Sequence, residues 1–130
     1  MANKTVLISD DSATARMIIR RCLEVVGCRE WQFMEASNGK EALEFLRQNR
    51  AIDLLITDMN MPIMDGKSLL LGVKSSPKLN AIPVFVVTSQ GNPALEVELI
   101  RLGAEKVIYK PISPEKLKDG LEQIFGKEFS

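Results

Sequence analysis

Several polar side chains stand at the ends of short apolar runs; they are Asp10, Asp11, Asp58, Thr88 and Lys110. If these side chains converge, their charges conflict, because two carboxylates about 4 Å apart repel by roughly 4 kcal/mol at an effective dielectric constant near 20. One lysine cannot neutralise three carboxylates. A hard divalent cation with oxygen ligands is the natural compensation, and Mg²⁺ is favoured because it accepts few protein ligands and keeps several waters. The residue types therefore predict an Mg²⁺ site.

This combination of groups also suits phosphoryl transfer, in which the main requirement is neutralisation of charge on the phosphoryl oxygens. We predict that Asp58 is the nucleophile, because carboxylates can form aspartyl phosphates. Lys110 would pair with one phosphoryl oxygen, and Thr88 would donate a hydrogen bond to another. Each residue also has a plain structural interpretation; Asp10 and Asp11, for example, are residue types that often cap helices. The combination, and no single residue, indicates the chemistry.

The apolar runs are short enough for strands and alternate with longer amphipathic segments. The predicted strands centre on Val6–Ile8, Phe33–Ala36, Leu54–Ile56, Val84–Val87 and Val107–Tyr109. Several of these runs are apolar on both faces, which is typical of parallel strands covered by helices on each side.

Helical periodicity separates the strands. The first predicted helix has apolar residues at i, i+4, i+7, i+8 and i+11, namely Ala15, Ile19, Cys22, Leu23 and Val26. Three further helices are expected over 40–48, 66–75 and 93–102, the second of them weakened by Gly72. Ser113-Pro114 indicates an N-cap followed by proline at the first position of a last helix, whose apolar face is Leu117, Leu121, Ile124 and Phe125.

Five strands alternating with five helices predict a doubly wound, flavodoxin-like α/β fold with a parallel sheet in the order 2-1-3-4-5. In such sheets ligands bind at the carboxyl ends of the strands, which is where the charged residues stand. The 130 residues contain no linker, repeat or low-complexity stretch. We expect one domain over 1–130, with no room for an output domain after Phe125.

Composition narrows the classes of function. Lys plus Arg and Asp plus Glu each number 17, so the net charge is zero, and no binding to nucleic acid or an anionic membrane is expected. No segment resembles a secretory signal or a membrane span, so we expect a cytoplasmic protein with Cys22 and Cys28 as reduced thiols. The sequence has no histidine, which excludes every histidine-based triad.

The quoted residues resemble the receiver domains of two-component response regulators, in the stand-alone, CheY-like type. The resemblance rests on Asp10-Asp11, on the segment DMNMPIMDG from Asp58 to Gly66, on Thr88-Ser89 and on Lys110-Pro111, and it extends from Val6 to Phe125. It implies Mg²⁺ binding by Asp10, Asp11, Asp58 and the backbone carbonyl of Asn60, phosphate contacts from Thr88 and Lys110, and a cis peptide before Pro111.

The same resemblance implies the partners. A histidine kinase or a histidine phosphotransfer domain would donate the phosphoryl group, and the phosphorylated form would bind a downstream protein, in chemotaxis the flagellar motor switch. The chain would be a monomeric signalling protein that carries out its own phosphorylation and dephosphorylation chemistry without being an enzyme for other substrates. In this family helix one docks the donor, which makes Arg16, Arg20 and Arg21 candidates; a solvated helix face is the equally plain interpretation.

Several residues are expected to set the lifetime and readout of the phosphate. In receivers the residues two after the acceptor and two after the threonine border the path of the attacking water, and here they are Asn60 and Gln90. The family commonly has Tyr or Phe three residues before the lysine, where this chain has Val107. We expect either Tyr109, on the same face of the strand, or the segment from Ser89 to Pro93 to carry the response.

Rival interpretations are less consistent with the sequence. An FMN-binding flavodoxin needs a hydroxyl- and glycine-rich loop after the first strand, where this chain has Asp10-Asp11. A haloacid-dehalogenase-type phosphatase needs a second aspartate two residues after the nucleophile, where this chain has Asn60.

A non-phosphorylated pseudo-receiver remains an alternative, although such modules usually lack one of the acidic residues, the acceptor or the lysine. A phosphorelay carrier and a phosphate sink are also compatible with these residues.

Overall fold

In a computed structural model, which describes residues 3–48 and 51–129, ten elements alternate along the chain. They are β1 (Thr5–Ser9), α1 (Ala13–Val25), β2 (Gln32–Ala36), α2 (Gly39–Gln48), β3 (Leu54–Asp58), α3 (Gly66–Lys74), β4 (Val84–Thr88), α4 (Pro93–Arg101), β5 (Lys106–Tyr109) and α5 (Pro114–Phe125). Every predicted strand and helix is present, with ends displaced by a few residues at most.

The strands form one parallel sheet in the order β2-β1-β3-β4-β5, which confirms the predicted doubly wound fold. The register aligns Ser9 of β1 with Thr57 of β3 and Asp58 with Val87 of β4. The strands therefore end side by side, and the residues that follow them emerge at one edge of the sheet.

Each face of the sheet has its own apolar core. Residues of α2 and α3, with Leu99 of α4, pack against one face, and residues of α1 and α5 pack against the other. Neighbouring residues of β3 show the alternation, since Leu55 belongs to the first core and Ile56 to the second. All residues of β3 and β4 are buried, as expected for strands that were apolar on both faces.

All five helices of the described residues begin with a side chain that caps the backbone, and these caps are Ser12, Asn38, Asp65, Asn92 and Ser113. In α1 the hydroxyl of Ser12 accepts a hydrogen bond from the amide of Ala15 at 3.2 Å. Neither Asp10 nor Asp11 is therefore the N-cap of this helix. Oδ1 of Asp10 accepts a hydrogen bond from the amide of Ser12 at 2.9 Å, just before the helix begins.

Ionised side chains at the amino-terminal end of the sheet hold loops in place. Asp53 accepts a hydrogen bond from the amide of Thr5 at 2.8 Å. The ammonium of Lys74 donates to the carbonyls of Asn80 and Ile82 at 3.1 and 2.8 Å. Burial lowers the pKa of Lys74, and the charge of Glu105 opposes that shift. Both charged side chains therefore have hydrogen-bond partners in the backbone.

The core of the α1–α5 face contains an aromatic cluster and both thiols. Trp31 meets the rings of Phe125 and Phe129 edge to face, with centroids 5.9 and 6.4 Å apart. Cys22 and Cys28 are free and buried, and burial raises the pKa of Cys28 to about 12. Within the described part of the chain, no helix has the length and apolarity needed to cross a membrane.

Candidate functional site

The carboxylates of β1 and β3 meet at the carboxyl edge of the sheet. One oxygen from each of Asp10, Asp11 and Asp58 lies within 4.8 Å of the others. Asp10 and Asp58 are only 1% and 6% exposed, whereas Asp11 is exposed. The three carboxylates therefore lie together, as the sequence predicted. That of Asp11 is open to solvent, and those of Asp10 and Asp58 are shielded from it.

Lys110 reaches this cluster from the loop after β5. Its ammonium lies 3.2 Å from Oδ1 of Asp58 and 3.5 Å from Oδ2 of Asp10. Oδ2 of Asp10 is buried and accepts no hydrogen bond, the one buried side-chain oxygen or nitrogen of the described residues in this position. The longer contact is thus an ion pair without a formed hydrogen bond, and the lysine compensates Asp58 better than Asp10.

The pKa values of the pair follow from this arrangement. Burial raises the pKa of Asp58, the charge of Asp10 raises it further, and the ammonium of Lys110 opposes both. Burial works to lower the pKa of Lys110, but the carboxylates of Asp58 and Asp10 outweigh it and raise that pKa. The ammonium is held in its charged form, and negative charge remains in excess at the site.

This donor set fits a hard divalent cation. Carboxylate oxygens are the ligands that Mg²⁺ prefers, and Mg²⁺ needs only one or two of them with several waters. Asp10 offers a buried oxygen with no hydrogen-bond donor, and Asp11 offers an exposed one beside it. Asn60, whose carbonyl is the remaining expected ligand, is exposed at the start of the loop after β3.

The backbone of Asp58 is closely packed. The hydroxyl of Thr57 donates to the carbonyl of Asp58 at 3.0 Å, and the amide of Gly66 donates to the carbonyl of Met59 at 2.8 Å. A Cβ atom on Gly66 would lie 2.3 Å from the carbonyl oxygen of Asp58. Only glycine lets the start of α3 approach Asp58 this closely, so the tight loop fixes the direction of the carboxylate.

Thr88 ends β4 beside this cluster. Its side chain is buried, and its hydroxyl oxygen accepts a hydrogen bond from the amide of Gln90 at 3.1 Å. The hydroxyl proton is therefore free to be donated elsewhere. The carbonyl of Thr88 accepts from the amide of Lys110 at 2.9 Å, which joins the threonine to the lysine through the backbone.

The order of these groups along the chain identifies the family. Residues 6–122 match the response regulator receiver domain. The chain belongs to the response regulator receiver family. The chemotaxis protein CheY homolog of Campylobacter jejuni is 37% identical over 120 residues, covering 92% of this chain and 91% of that protein. Chemotaxis protein CheY1 of Helicobacter pylori is 38% identical over 120 residues, covering 92% and 95%.

Solved structures agree with this assignment. The chemotaxis response regulator CheY4 of Vibrio cholerae superposes with a TM-score of 0.83 at 27% identity, covering 95% of this chain and 100% of that one. A response regulator from Chloroflexus aurantiacus superposes with a TM-score of 0.84 at 28% identity, covering 95% and 98%. The peptide between Lys110 and Pro111 is cis, as the resemblance to receivers implied.

The unusual position of this receiver is Val107, three residues before Lys110. Val107 is partly buried and packs against the core that α2, α3 and α4 share. Tyr109 lies on the same face, since its hydroxyl donates to Oε1 of Glu96 in α4 at 2.5 Å. This hydrogen bond is the main cause that raises the pKa of Tyr109. Tyr109 also pairs with Thr88 across the strands, so it joins the threonine's strand to α4.

Other contacts of the receiver site were not apparent from the sequence. Arg16 donates to the carbonyl of Asp10 at 2.6 Å and to Glu35 of β2 at 2.7 Å, so its guanidinium is not a freely solvated group. Arg20 lies over the ring of Phe33 at 4.8 Å, and Arg21 is exposed. A basic residue on a predicted helix face gives no signal that distinguishes these three situations.

Proposed function

We propose that this receiver is a phosphorylation-dependent signalling switch in which Asp58 is the phosphoryl acceptor. The observation that carries the proposal is the buried carboxylate of Asp58, placed within 4.8 Å of the Asp10 and Asp11 carboxylate oxygens and 3.2 Å from the ammonium of Lys110. A carboxylate oxygen of Asp58 attacks phosphorus while the phosphorus–nitrogen bond to a donor histidine breaks. The donor imidazole leaves, and an acyl phosphate forms.

Each neighbouring residue has a role in this proposal. Asp10, Asp11 and Asp58, with the carbonyl of Asn60, would hold Mg²⁺, which when bound neutralises negative charge on the phosphoryl oxygens. Lys110 exchanges part of its pairing with Asp58 for a phosphoryl oxygen. Thr88 donates its free hydroxyl proton to another phosphoryl oxygen, and its movement toward that oxygen is the start of the switch.

The phosphate is removed when water attacks phosphorus and the carboxylate of Asp58 leaves. Asn60 and Gln90 border the approach of that water, and both are exposed, uncharged residues that leave the approach open. We therefore expect self-hydrolysis on a signalling timescale, measured as loss of the phosphorylated mass in Mg²⁺ buffer. Phosphate that persists for many hours would contradict this expectation.

Chemotaxis is the pathway that the relatives favour, because relatives with 37% and 38% identity are named as chemotaxis proteins. We propose a cytoplasmic, monomeric, single-domain regulator over 1–130 that receives phosphate from a histidine kinase or histidine phosphotransfer domain and then binds a downstream protein, such as the flagellar motor switch. A phosphorelay carrier or phosphate sink is the second candidate, since the same acceptor site serves it. Return of phosphate from Asp58 to a phosphotransfer domain would distinguish the carrier.

The test is labelling of the intact protein with a small-molecule phosphodonor and Mg²⁺, followed by mass spectrometry. The wild type should gain one phosphoryl group, and Asp58→Asn should gain none. Asp53→Asn, the same change at the opposite end of the sheet, should label like the wild type. Equal labelling of Asp58→Asn would remove the acceptor assignment, and an unlabelled wild type would favour the pseudo-receiver alternative.

A further inference from the structure

Lys116 in the first turn of α5 holds the backbone on both sides of Lys110. Its ammonium donates to the carbonyl of Tyr109 at 2.9 Å and to the carbonyl of Pro111 at 3.0 Å. The residue between these two carbonyls is Lys110. In the part of the chain that the structure describes, no carboxylate forms an ion pair with Lys116. The two backbone carbonyls of the β5–α5 loop are therefore the partners of its ammonium.

The place of Lys116 in its helix is unfavourable for a lysine. Ser113 is the N-cap of α5, and the amide of Lys116 donates to its hydroxyl at 3.3 Å, which makes Lys116 the third residue of the helix. Glutamate or glutamine is preferred at this position because it completes a capping box. A cation there also faces the positive end of the helix dipole. The two carbonyl contacts are what a lysine gains at this site and what a glutamate could not make.

The backbone of Lys110 is also bound to β4. Its amide donates to the carbonyl of Thr88, which fixes one side of the residue to β4. The opposite side faces the turn that leads into α5, and Lys116 closes that turn. From this turn the side chain of Lys110 extends toward Asp58 and Asp10, with its ammonium 3.2 and 3.5 Å from their carboxylate oxygens.

We propose that Lys116 is a positioning residue for phosphoryl transfer, which acts by fixing the loop that carries Lys110. The inference rests on the proposed function, in which Lys110 pairs with a phosphoryl oxygen. Lys116 forms no ion pair with the carboxylates of Asp10, Asp11 or Asp58. In this proposal it limits the freedom of the Lys110 ammonium, which does pair with Asp10 and Asp58. Small displacements of such groups have large effects on rate, because transfer requires the charge to be already in place.

The experiment measures the rate of labelling by a small-molecule phosphodonor in Mg²⁺. Lys116→Met keeps the aliphatic stem and loses the donors, so labelling should slow by about threefold to tenfold. Lys116→Arg can still donate to two carbonyls and should recover to within about twofold of the wild type. Lys118→Met is the matched control, an exposed lysine two residues further along α5, and should label at the wild-type rate.

A second arm separates a positioning role from a general effect on the fold. In a Lys110→Met background the ammonium that Lys116 positions is gone, so adding Lys116→Met should slow labelling no further. Equal slowing in both backgrounds, or a wild-type rate for Lys116→Met, would overturn the inference while leaving Asp58 as acceptor. An unlabelled wild type would instead remove the proposed function, and the role of Lys116 in it would fall with it.

Discussion

Charged side chains at the two ends of the sheet differ in how completely their charges are compensated. At the amino-terminal end, Asp53 accepts from one backbone amide and Lys74 donates to two carbonyls, so each charge is matched by fixed dipoles. At the carboxyl-terminal end, three carboxylates lie together, and the ammonium of Lys110 pairs with two of them, Asp10 and Asp58. One oxygen of Asp10 there is buried with no hydrogen bond at all.

The difference distinguishes charged side chains that are satisfied within the fold from a carboxylate oxygen that lacks a hydrogen-bond partner. A buried polar group without a partner costs about 1–3 kcal/mol, and a fold stabilises itself by avoiding such groups, as it does around Asp53. At the other end the cost is retained, and in the proposed function a cation and a phosphoryl group would be the partners that offset it. The two ends of the sheet can therefore be tested against each other with matched aspartate substitutions.

The largest expected difference concerns Mg²⁺. Asp11→Ala removes a charged oxygen ligand and should weaken Mg²⁺ binding roughly tenfold or more, which corresponds to about 1.4 kcal/mol or more. Asp53→Ala should leave Mg²⁺ affinity unchanged, because Asp53 lies at the far end of the sheet. Isothermal titration with MgCl₂ measures both. Unchanged affinity in Asp11→Ala would mean that the exposed carboxylate of Asp11 does not contribute to the site.

A smaller effect, opposite in sign at the two ends, is expected for stability without the cation. In Mg²⁺-free buffer Asp11→Ala should leave the free energy of unfolding unchanged or raise it, because it relieves repulsion with Asp10 and Asp58. Asp53→Ala should lower it by about 1 kcal/mol, because the amide of Thr5 loses its acceptor. Urea denaturation of each variant gives the two values.

A strong loss of stability in Asp11→Ala would break the comparison, since Asp11 would then be supporting the fold as Asp53 does. The cap of α1 makes that outcome unexpected, because Ser12 and not Asp11 satisfies the first turn of the helix.

The smallest effect concerns how the charged end communicates with α4. Beryllofluoride with Mg²⁺ should change amide chemical shifts from Thr88 into α4 in the wild type. Tyr109→Phe removes the hydrogen bond to Glu96 and should reduce the changes in α4 while leaving those near Asp58. We expect Val107→Ala to have little influence, because valine has no ring to reorient.

Two results would redirect this prediction. If Tyr109→Phe leaves the changes in α4 intact, the segment from Ser89 to Pro93 carries the response without the tyrosine. If Val107→Ala alone erases them, the family position still transmits the signal despite its small side chain.

Much of the fold followed from the sequence because its signals are local. The run Val84–Val87 is apolar on both faces and is a fully buried strand. Ser113-Pro114 begins α5 as the capping pattern predicted. The carboxylate cluster was predictable for a related reason: parallel strands place their carboxyl ends at one edge, so residues that follow different strands must meet there.

The contacts that could not be predicted depend on how elements cross in space. Tyr109 and Glu96 stand on a strand and a helix, and no periodicity indicates that their side chains meet. Arg16 was expected either to dock the phosphodonor or to lie on a solvated helix face, and neither expectation included its hydrogen bond to the carbonyl of Asp10. Lys116 occupies the helix position at which a capping box has an acidic residue or glutamine. A reason for the lysine is visible only in the structure, where its ammonium donates to two carbonyls of the β5–α5 turn.

The position of Trp31 determines what a fluorimeter can detect in this protein. Trp31 is the one tryptophan in the sequence, and it precedes β2, about 17 Å of strand away from the carboxylates. Trp31 is 5% exposed, and its indole packs edge to face against Phe125 and Phe129. Its emission should therefore report loss of the α1–α5 core on unfolding and change little when a cation or phosphate arrives at Asp58. A spectroscopic reporter of activation has to be introduced near Thr88 or α4.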